Sequence, residues 1–123
     1  MNTIIQPKET EHSTRLSVDT ILRIVSREFN QPIEKILSKS TRTKTTTPRQ
    51  IAQAFALMIP GSTLDNTGKE IGGRDHATVS YSCKTVAGLY DFSRNYRAHV
   101  ENIRDRLKIS PEEFEKHLDR FRK

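Results

Sequence analysis

The fold of this chain is decided by the stretch Gly72-Gly73-Arg74-Asp75-His76-Ala77-Thr78-Val79. Its two glycines predict a tight turn, because a residue without a Cβ atom adopts positive φ at little cost. Asp75 stands where a helix N-cap belongs, since its carboxylate can accept hydrogen bonds from the free N–H groups of a first helical turn. The stretch therefore predicts a turn that leads directly into a helix.

A helix is also predicted on each side of this turn. Pro60-Gly61 breaks the chain, and Ser62 or Thr63 can then cap a short helix that runs to Ile71. The helix after the turn is predicted from Asp75 to about Tyr90. Its inner side carries Val79, Cys83, Val86 and either Leu89 or Tyr90, and its other faces carry His76, Ala77, Ser80, Tyr81 and Lys84. This division favours a helix-turn-helix whose second helix packs with one face and enters a DNA groove with another.

Apolar residues at helical spacing predict four further helices. The first follows the cap Ser17, the second opens at Pro48, the third follows residues 91–93, and the last begins at Ser110-Pro111. Pro32 can open a short additional helix. The predicted inward residues are Ile21, Leu22, Val25, Phe29, Ile33, Ile36, Leu37, Ile51, Ala54, Phe55, Met58, Leu64, Ile71, Tyr96, Val100, Ile103, Leu107, Phe114, Leu118 and Phe121. The expected fold is an all-α compact helical bundle containing the helix-turn-helix, and the last helix packs back, binds a partner or frays.

Residues 38–47, called the basic segment below, differ in character from their surroundings. The segment contains three cations, no acid and no apolar anchor, so it is expected to be an exposed loop. Two readings are open: a solvated linker, or a loop laid along phosphates or reaching into a minor groove. A helix-turn-helix downstream favours the second reading.

Composition restricts the class of protein. The chain has 123 residues, a formal charge of +6 and a pI of about 9.7, which favours nucleic acid as the partner. A single cysteine, Cys83, excludes an intrachain disulfide and is typical of a reducing compartment, and no apolar run is long enough to span a membrane. A cytoplasmic, nucleoid-associated protein is therefore expected. Residues 1–16 are predicted to be a flexible arm because they lack apolar periodicity.

The sequence gives little support for nucleotide binding, metal binding or catalysis. Gly61 to Lys69 resembles a phosphate-binding loop, but six residues separate Gly61 from Gly68 instead of four. The four histidines lie far apart and one cysteine cannot anchor a zinc site, so neither a metal nor another cofactor is expected. Asp75 and His76 are neighbours without a nucleophile or second carboxylate placed beside them. We therefore expect no enzymatic activity.

The residues suggest a division of labour on DNA. Base readout is assigned to Asp75, which can accept from cytosine N4, to His76 as a donor, and to Ala77, whose methyl suits a thymine methyl. Thr78 bonds a phosphate or caps its own helix, and Gln50 lies beside a predicted helix start. The cations assigned to phosphates are Lys39, Arg42, Lys44, Arg49, Arg74 and Lys84.

The octet at residues 72–79 resembles the signature of the C-terminal DNA-binding domain of the bacterial replication initiator DnaA, a Trp-repressor-like helix-turn-helix. Ile36-Leu37-Ser38-Lys39, Pro48-Arg49-Gln50 and Cys83-Lys84 fall at the family's spacing, so the resemblance covers roughly residues 17–107. It implies a minor-groove arginine from the basic segment and major-groove reading of the asymmetric DnaA box. It also implies base contacts from Asp75, His76 and Ala77, a backbone contact from Thr78, and phosphate contacts from Arg49 and Gln50.

This sequence departs from the family pattern at several positions. Ala77 stands where threonine is usual, and Asp65 replaces a residue that is often proline. Arg42 is displaced by one position from the family's minor-groove arginine, with Thr41 at the matching place. Nothing in the chain resembles the initiator's ATPase module, so the resemblance implies DNA binding without ATP-driven origin melting. The opening Met1 and the two unusual ends favour a small stand-alone relative over an excised domain.

Three functions follow as hypotheses. The first is sequence-specific binding of double-stranded DNA at DnaA-box-like sites, in replication initiation or its regulation. The second is a transcription regulator with the same fold. The third is a protein-interaction module with a vestigial DNA surface, in which the C-terminal helix docks a partner through Phe114, Leu118 and Phe121. The expected organisation is an arm at 1–16, the DNA-binding domain at 17–108 and a helical extension at 109–123.

Overall fold

Seven α-helices follow one another in the computed structural model, which describes residues 16–123. The prediction of an all-α fold with a helix-turn-helix is confirmed for this part of the chain, whereas the arm predicted at residues 1–16 lies almost wholly outside it. The helices are α1 Val18–Phe29, α2 Ile33–Ile36, α3 Thr43–Ala56, α4 Leu64–Glu70, α5 His76–Phe92, α6 Arg94–Arg106 and α7 Pro111–Arg122.

Helix ends lie where the capping residues predicted them. Ser17, Thr63 and Ser110 each accept a hydrogen bond from the backbone N–H three residues further on, at 3.2, 3.1 and 3.1 Å. Asn30 ends α1 with a left-handed φ of 52°, a conformation that asparagine tolerates better than most residues. The capping signals are local, which is why they could be read without the tertiary structure.

Helix α3 is the centre of the bundle and packs against α1 and α5. Every residue from Ile51 to Ala56 is buried. Ala52, Ala54 and Ala56 present only methyl groups, so neighbouring helices approach α3 closely on several sides. Because the C-terminal part of α3 is buried all round, it fixes the positions of the segments joined to this helix, which are the basic segment before it and α4 after it.

The start of α3 corrects the prediction. Pro48 was expected in the first turn, but α3 begins at Thr43 and Pro48 lies inside it. Thr45 and Pro48 are both buried, and this packing outweighs the weak helix preference of a threonine run. The predicted loop at residues 38–47 therefore shrinks to residues 38–42, and the second half of the basic segment is helical.

The C-terminal helix α7 packs back onto α5. Phe114 is 1% exposed, and its ring lies 5.7 Å from that of Phe55 and 5.5 Å from that of Tyr90. Leu118 and Phe121 are also buried. The hypothesis that these three side chains dock a partner is wrong, because they belong to the core.

The junction between α5 and α6 is tighter than predicted. Residues 91–93 were expected to break the chain, but Asp91 and Phe92 continue α5. Ser93 alone forms the break: its backbone N–H bonds Leu89 at the end of α5, and its hydroxyl accepts from the N–H of Tyr96 at the start of α6.

Candidate nucleic-acid interface

The turn between α4 and α5 has the predicted conformation. Gly72 and Gly73 have φ values of 95° and 60°, the left-handed region that favours glycine. Asp75 caps α5, since its Oδ1 accepts from the Thr78 N–H at 2.9 Å. That hydrogen bond holds the pKa of Asp75 below its ordinary value, so the N-cap carboxylate stays ionised at neutral pH.

Helix α5 has the two faces that a recognition helix requires. Val79, Cys83 and Val86 are buried, whereas the predicted readout residues lie in solvent at its N-terminal end. The inner side ends at Tyr90 and not at Leu89, which is 38% exposed. The exposed residues of its N-terminal half are His76, Ala77, Thr78, Tyr81 and Lys84.

Two residues that sequence reasoning missed hold the turn in place. Gln53 is buried in α3, and its Nε2 donates to the Ile71 carbonyl at the end of α4 at 2.9 Å. Gly68 lies where α4 meets the turn: a Cβ atom there would stand 2.1 Å from the Arg74 carbonyl oxygen. At this close approach the Arg74 N–H donates a 2.8 Å hydrogen bond to the Gly68 carbonyl.

Both residues left a signal in the sequence. A glycine inside a seven-residue helix costs helix stability and so needs a packing reason. A glutamine in the middle of an alanine-rich, wholly buried stretch of helix needs a hydrogen-bond partner. Neither signal identifies the partner, because both contacts join residues that are separated in sequence.

Arg49 corrects a second expectation. It was placed at an exposed helix start, but it is 3% exposed and lies in the interior of α3. Its Nε donates to the Ile36 carbonyl at 2.8 Å and its Nη2 to the Ser38 carbonyl at 2.7 Å. Burial, and secondarily the nearby charge of Arg74, lowers the pKa of Arg49. Arg49 thus anchors the start of the basic segment to the core.

Lys39 connects the basic segment to the turn. Its ammonium donates to the carbonyls of Gly72 and Gly73, at 3.1 and 2.9 Å. Arg74 also reaches the Gly72 carbonyl, through Nη1 at 2.7 Å. Two cations therefore converge on one backbone oxygen of the turn, with Arg49 against the Cα side of the same glycine.

The remaining candidates divide into those near the start of α3 and one that is remote. Arg42 occupies the N-cap position of α3 and Lys44 lies in its first turn, both exposed, while Gln50 is partly buried. Lys84 points elsewhere: its ammonium donates to the carbonyl of Lys123 at 3.2 Å, beside the end of α7. The structure does not bring Lys84 to the turn.

The cations at the turn and at the start of α3 are not neutralised by ion pairs in the described part of the chain. Among residues 16–123, Lys39, Arg42, Lys44, Arg49 and Arg74 form no ion pair with a carboxylate. The first turn of α3 also contains no acidic residue. Cations at a helix N-terminus oppose the helix dipole, so this arrangement favours an external anion.

One carboxylate does lie close to the readout residues. Asp65 on α4 approaches His76, with 3.8 Å between Oδ1 and Nδ1, and both side chains are 68% exposed. The residue that departs from the family pattern at position 65 is therefore a neighbour of a predicted base-reading residue.

Two other features are absent from the described part of the chain. No three or more of its His, Cys, Asp and Glu side chains gather where they could hold a metal ion. None of its helices is long and apolar enough to cross a membrane. Cys83 is buried, which raises the pKa of its thiol to about 12 and keeps it protonated.

Comparison with known proteins identifies the family. A family model described as the bacterial dnaA protein helix-turn-helix matches residues 18–86, more than half of the chain. The chain belongs to this DnaA helix-turn-helix family. The matched range begins at α1 and ends within α5, so it contains the basic segment, the turn and the exposed start of α5.

Individual DnaA proteins are similar over a longer stretch. The chromosomal replication initiator protein DnaA of Flavobacterium psychrophilum is 35% identical over 94 residues, which cover 76% of this chain and 20% of that protein. Those of Bacteroides thetaiotaomicron and Chloroflexus aggregans are 34% and 32% identical, covering 76% and 77% of this chain. The chain spans about one fifth of the length of these DnaA proteins.

Proposed function

We propose that this chain binds double-stranded DNA sequence-specifically at DnaA-box-like sites and acts in replication initiation or its regulation. The observation that carries the proposal is the exposed start of α5 on a turn held rigidly by the core, beside a cluster of cations without carboxylate partners. Membership of the DnaA helix-turn-helix family supports it. The name of the relatives, chromosomal replication initiator protein, supports the replication role.

Base readout falls to the first residues of α5. His76 presents a ring nitrogen to a base edge, and Ala77 offers a methyl to a thymine methyl. Asp75 uses Oδ1 to cap the helix, so its Oδ2 is the oxygen left to accept from cytosine N4. Thr78 gives its backbone N–H to that cap and its hydroxyl to a phosphate. Specificity therefore depends on how firmly the turn orients α5.

The cations beside the turn are assigned the phosphate contacts that provide affinity. Arg42 and Lys44 at the start of α3 and Arg74 in the turn are assigned to phosphates, with Gln50 as a polar contact further along α3. Arg49 is assigned a supporting role, because both of its bonded nitrogens are directed at backbone carbonyls. Lys84 is at most a peripheral contact, since it lies beside the end of α7.

The test compares two substitutions on two DNAs. The preferred duplex is first selected from a random pool, and binding is then measured to it and to a random duplex at several salt concentrations. His76→Ala is expected to cost about tenfold on the selected duplex and little on the random one. Lys44→Ala is expected to weaken binding to the two duplexes alike. It should also reduce the slope of log affinity against log salt concentration by about 0.9 in magnitude.

The result that contradicts this assignment is equal behaviour of the two variants on the two DNAs. A wild-type protein that selects no duplex and binds none at low salt would sink the proposal as a whole. Footprinting across a host genome then separates the roles, because a replication role places the sites at an origin and a transcription role places them at promoters.

A further inference from the structure

We infer that Lys39 is a positioning residue that fixes the basic segment to the recognition turn, and that its effect on DNA binding operates through the orientation of α5. The inference rests on the proposed function, since it explains how that site keeps its shape. It reassigns a lysine that sequence reasoning placed on a phosphate.

The geometry at the turn carries the first step. Helix α4 ends at Glu70, so the carbonyls of Gly72 and Gly73 have no helical partner. Lys39 donates to both, so these oxygens are directed towards the basic segment. An ammonium has three N–H groups, of which two are therefore engaged by the turn. Hydrogen bonds from a charged donor are stronger than neutral ones.

The attachment of Lys39 itself carries the second step. Arg49 binds the carbonyls of Ile36 and Ser38, so the residue immediately before Lys39 is tied to buried α3. The Arg49 side chain also lies under Gly72, whose missing Cβ would stand 3.2 Å from its Cδ. The backbone that carries Lys39 is therefore held to α3, and the lysine contacts the turn from a fixed position.

The consequence is a rigid spacing between two DNA-binding elements. The chain that enters α3, with Arg42 and Lys44, and the start of α5 meet the duplex at different places. If Lys39 holds the turn to this chain, both elements fit one duplex without further ordering on binding, and the cost of association falls. A lysine that only contacts phosphate has no such effect on α5.

The test compares Lys39→Met with the matched variant Lys44→Met, an exposed lysine without a turn contact. The first measurement uses the free protein: hydrogen exchange of the Arg74 amide, which bonds the Gly68 carbonyl. Lys39→Met is expected to accelerate this exchange about tenfold, the effect of losing a charged hydrogen bond. Lys44→Met is expected to leave it unchanged, and the Leu107 amide serves as an internal reference in both.

The second measurement is DNA binding with and without His76→Ala. Lys39→Met is expected to lower the affinity for the selected duplex about tenfold and to change the affinity for the random duplex little. Its effect on the selected duplex is expected to be non-additive with that of His76→Ala. Lys44→Met is expected to weaken both duplexes alike and to be additive with His76→Ala. Both patterns together support the positioning role.

Unchanged Arg74 exchange in Lys39→Met overturns the inference, as does equal loss on both duplexes with additivity. The two proposals fail separately. A wild-type protein that prefers no duplex overturns the proposed function and the recognition role of Lys39, while the exchange measurement still decides whether Lys39 holds the turn.

Discussion

Two arginines, the buried Arg49 and the exposed Arg122, show that positive charge has different partners at the two sides of the molecule. Arg49, beside the recognition turn, donates to backbone carbonyls, and burial and Arg74 lower its pKa. Arg122, on α7, binds the carboxylates of Asp91, Glu115 and Asp119, and these hydrogen bonds, led by that to Asp91, raise its pKa. One side concentrates positive charge and the other neutralises it.

This difference in charge pairing indicates different roles for the α7 side and the turn side of the molecule. Neutralised charge at α7 stabilises the packing of that helix and leaves little field for a partner. Uncompensated charge at the turn costs folding free energy, and a bound polyanion recovers that cost. Changes on the α7 side should therefore alter stability and leave DNA binding by the folded protein intact. Changes at the turn should alter binding beyond their effect on stability.

The largest expected effect is that of Phe114→Ala. Phe114 is buried between Phe55 and Tyr90, so its truncation should lower the free energy of unfolding by about 3–5 kcal/mol, as measured by urea denaturation. Phe92→Ala is the matched control: its ring is 88% exposed, and the change should stay within about 0.5 kcal/mol. If the folded fraction of Phe114→Ala bound DNA more weakly than wild type, the separation of the two sides would be refuted.

The next largest effect is that of Gly68→Ala. A Cβ at Gly68 would stand 2.1 Å from the Arg74 carbonyl, a backbone atom, so the turn must shift. We expect a loss of about 2 kcal/mol in the free energy of unfolding and a loss of duplex discrimination. Gly88→Ala, inside α5 with open space around it, should instead stabilise by about 0.5–1 kcal/mol. Equal behaviour of the two alanines would contradict the close approach.

Local signals made the recognition unit readable from sequence. Gly72 and Gly73 indicated positive φ, Asp75 indicated an N-cap, and the spacing from Val79 to Val86 indicated the buried face of α5. Each of these depends on residues within one or two helical turns. The family resemblance rested on the same stretch, so the fold and the exposed start of α5 could be predicted together.

Long-range contacts explain what could not be predicted. Thr45 and Pro48 are helical because they are buried against other elements, which no local propensity reveals. Lys39 was assigned to phosphate because it lies in a basic segment that was expected to be exposed, and Arg49 because it was expected at an exposed helix start. The carbonyl partners of Arg49 lie 11 and 13 residues away along the chain, and those of Lys39 lie 33 and 34 residues away. The residues that support the turn were thus harder to predict from the sequence than the exposed residues at the start of α5.

A smaller effect is expected for Gln53→Met, which keeps the size of the side chain. It removes the donor to the Ile71 carbonyl and leaves that oxygen unbonded, but it also removes Gln53 Oε1, which is buried without a partner. The two contributions oppose each other, so the free energy of unfolding should fall by only about 1 kcal/mol. Duplex discrimination should fall as well, because the end of α4 is released. Unaltered discrimination would show that Lys39 and Gly68 suffice to hold the turn.

The smallest effect concerns the pH dependence of the α7 side. Hydrogen bonding by Arg122 holds the pKa of Asp91 below its ordinary value of 3.8, so the folded state binds fewer protons than the unfolded state in the acidic range. The resulting stability is fully present above the unfolded pKa and is lost as pH falls through the lower folded pKa. Asp91 is about half exposed, so the pair contributes under about 1 kcal/mol.

Asp91→Asn should therefore lower the melting temperature slightly at pH 7, and the difference from wild type should shrink towards zero on acidification to about pH 3. Glu70→Gln, an exposed carboxylate outside every ion pair of residues 16–123, should show no such convergence. DNA affinity at pH 7 should be the same for Asp91→Asn and wild type, because Arg122 keeps Glu115 and Asp119 as carboxylate partners in the folded protein. A clear gain in affinity from Asp91→Asn would mean that the field of α7 extends to the duplex, and the two sides would then act as one surface.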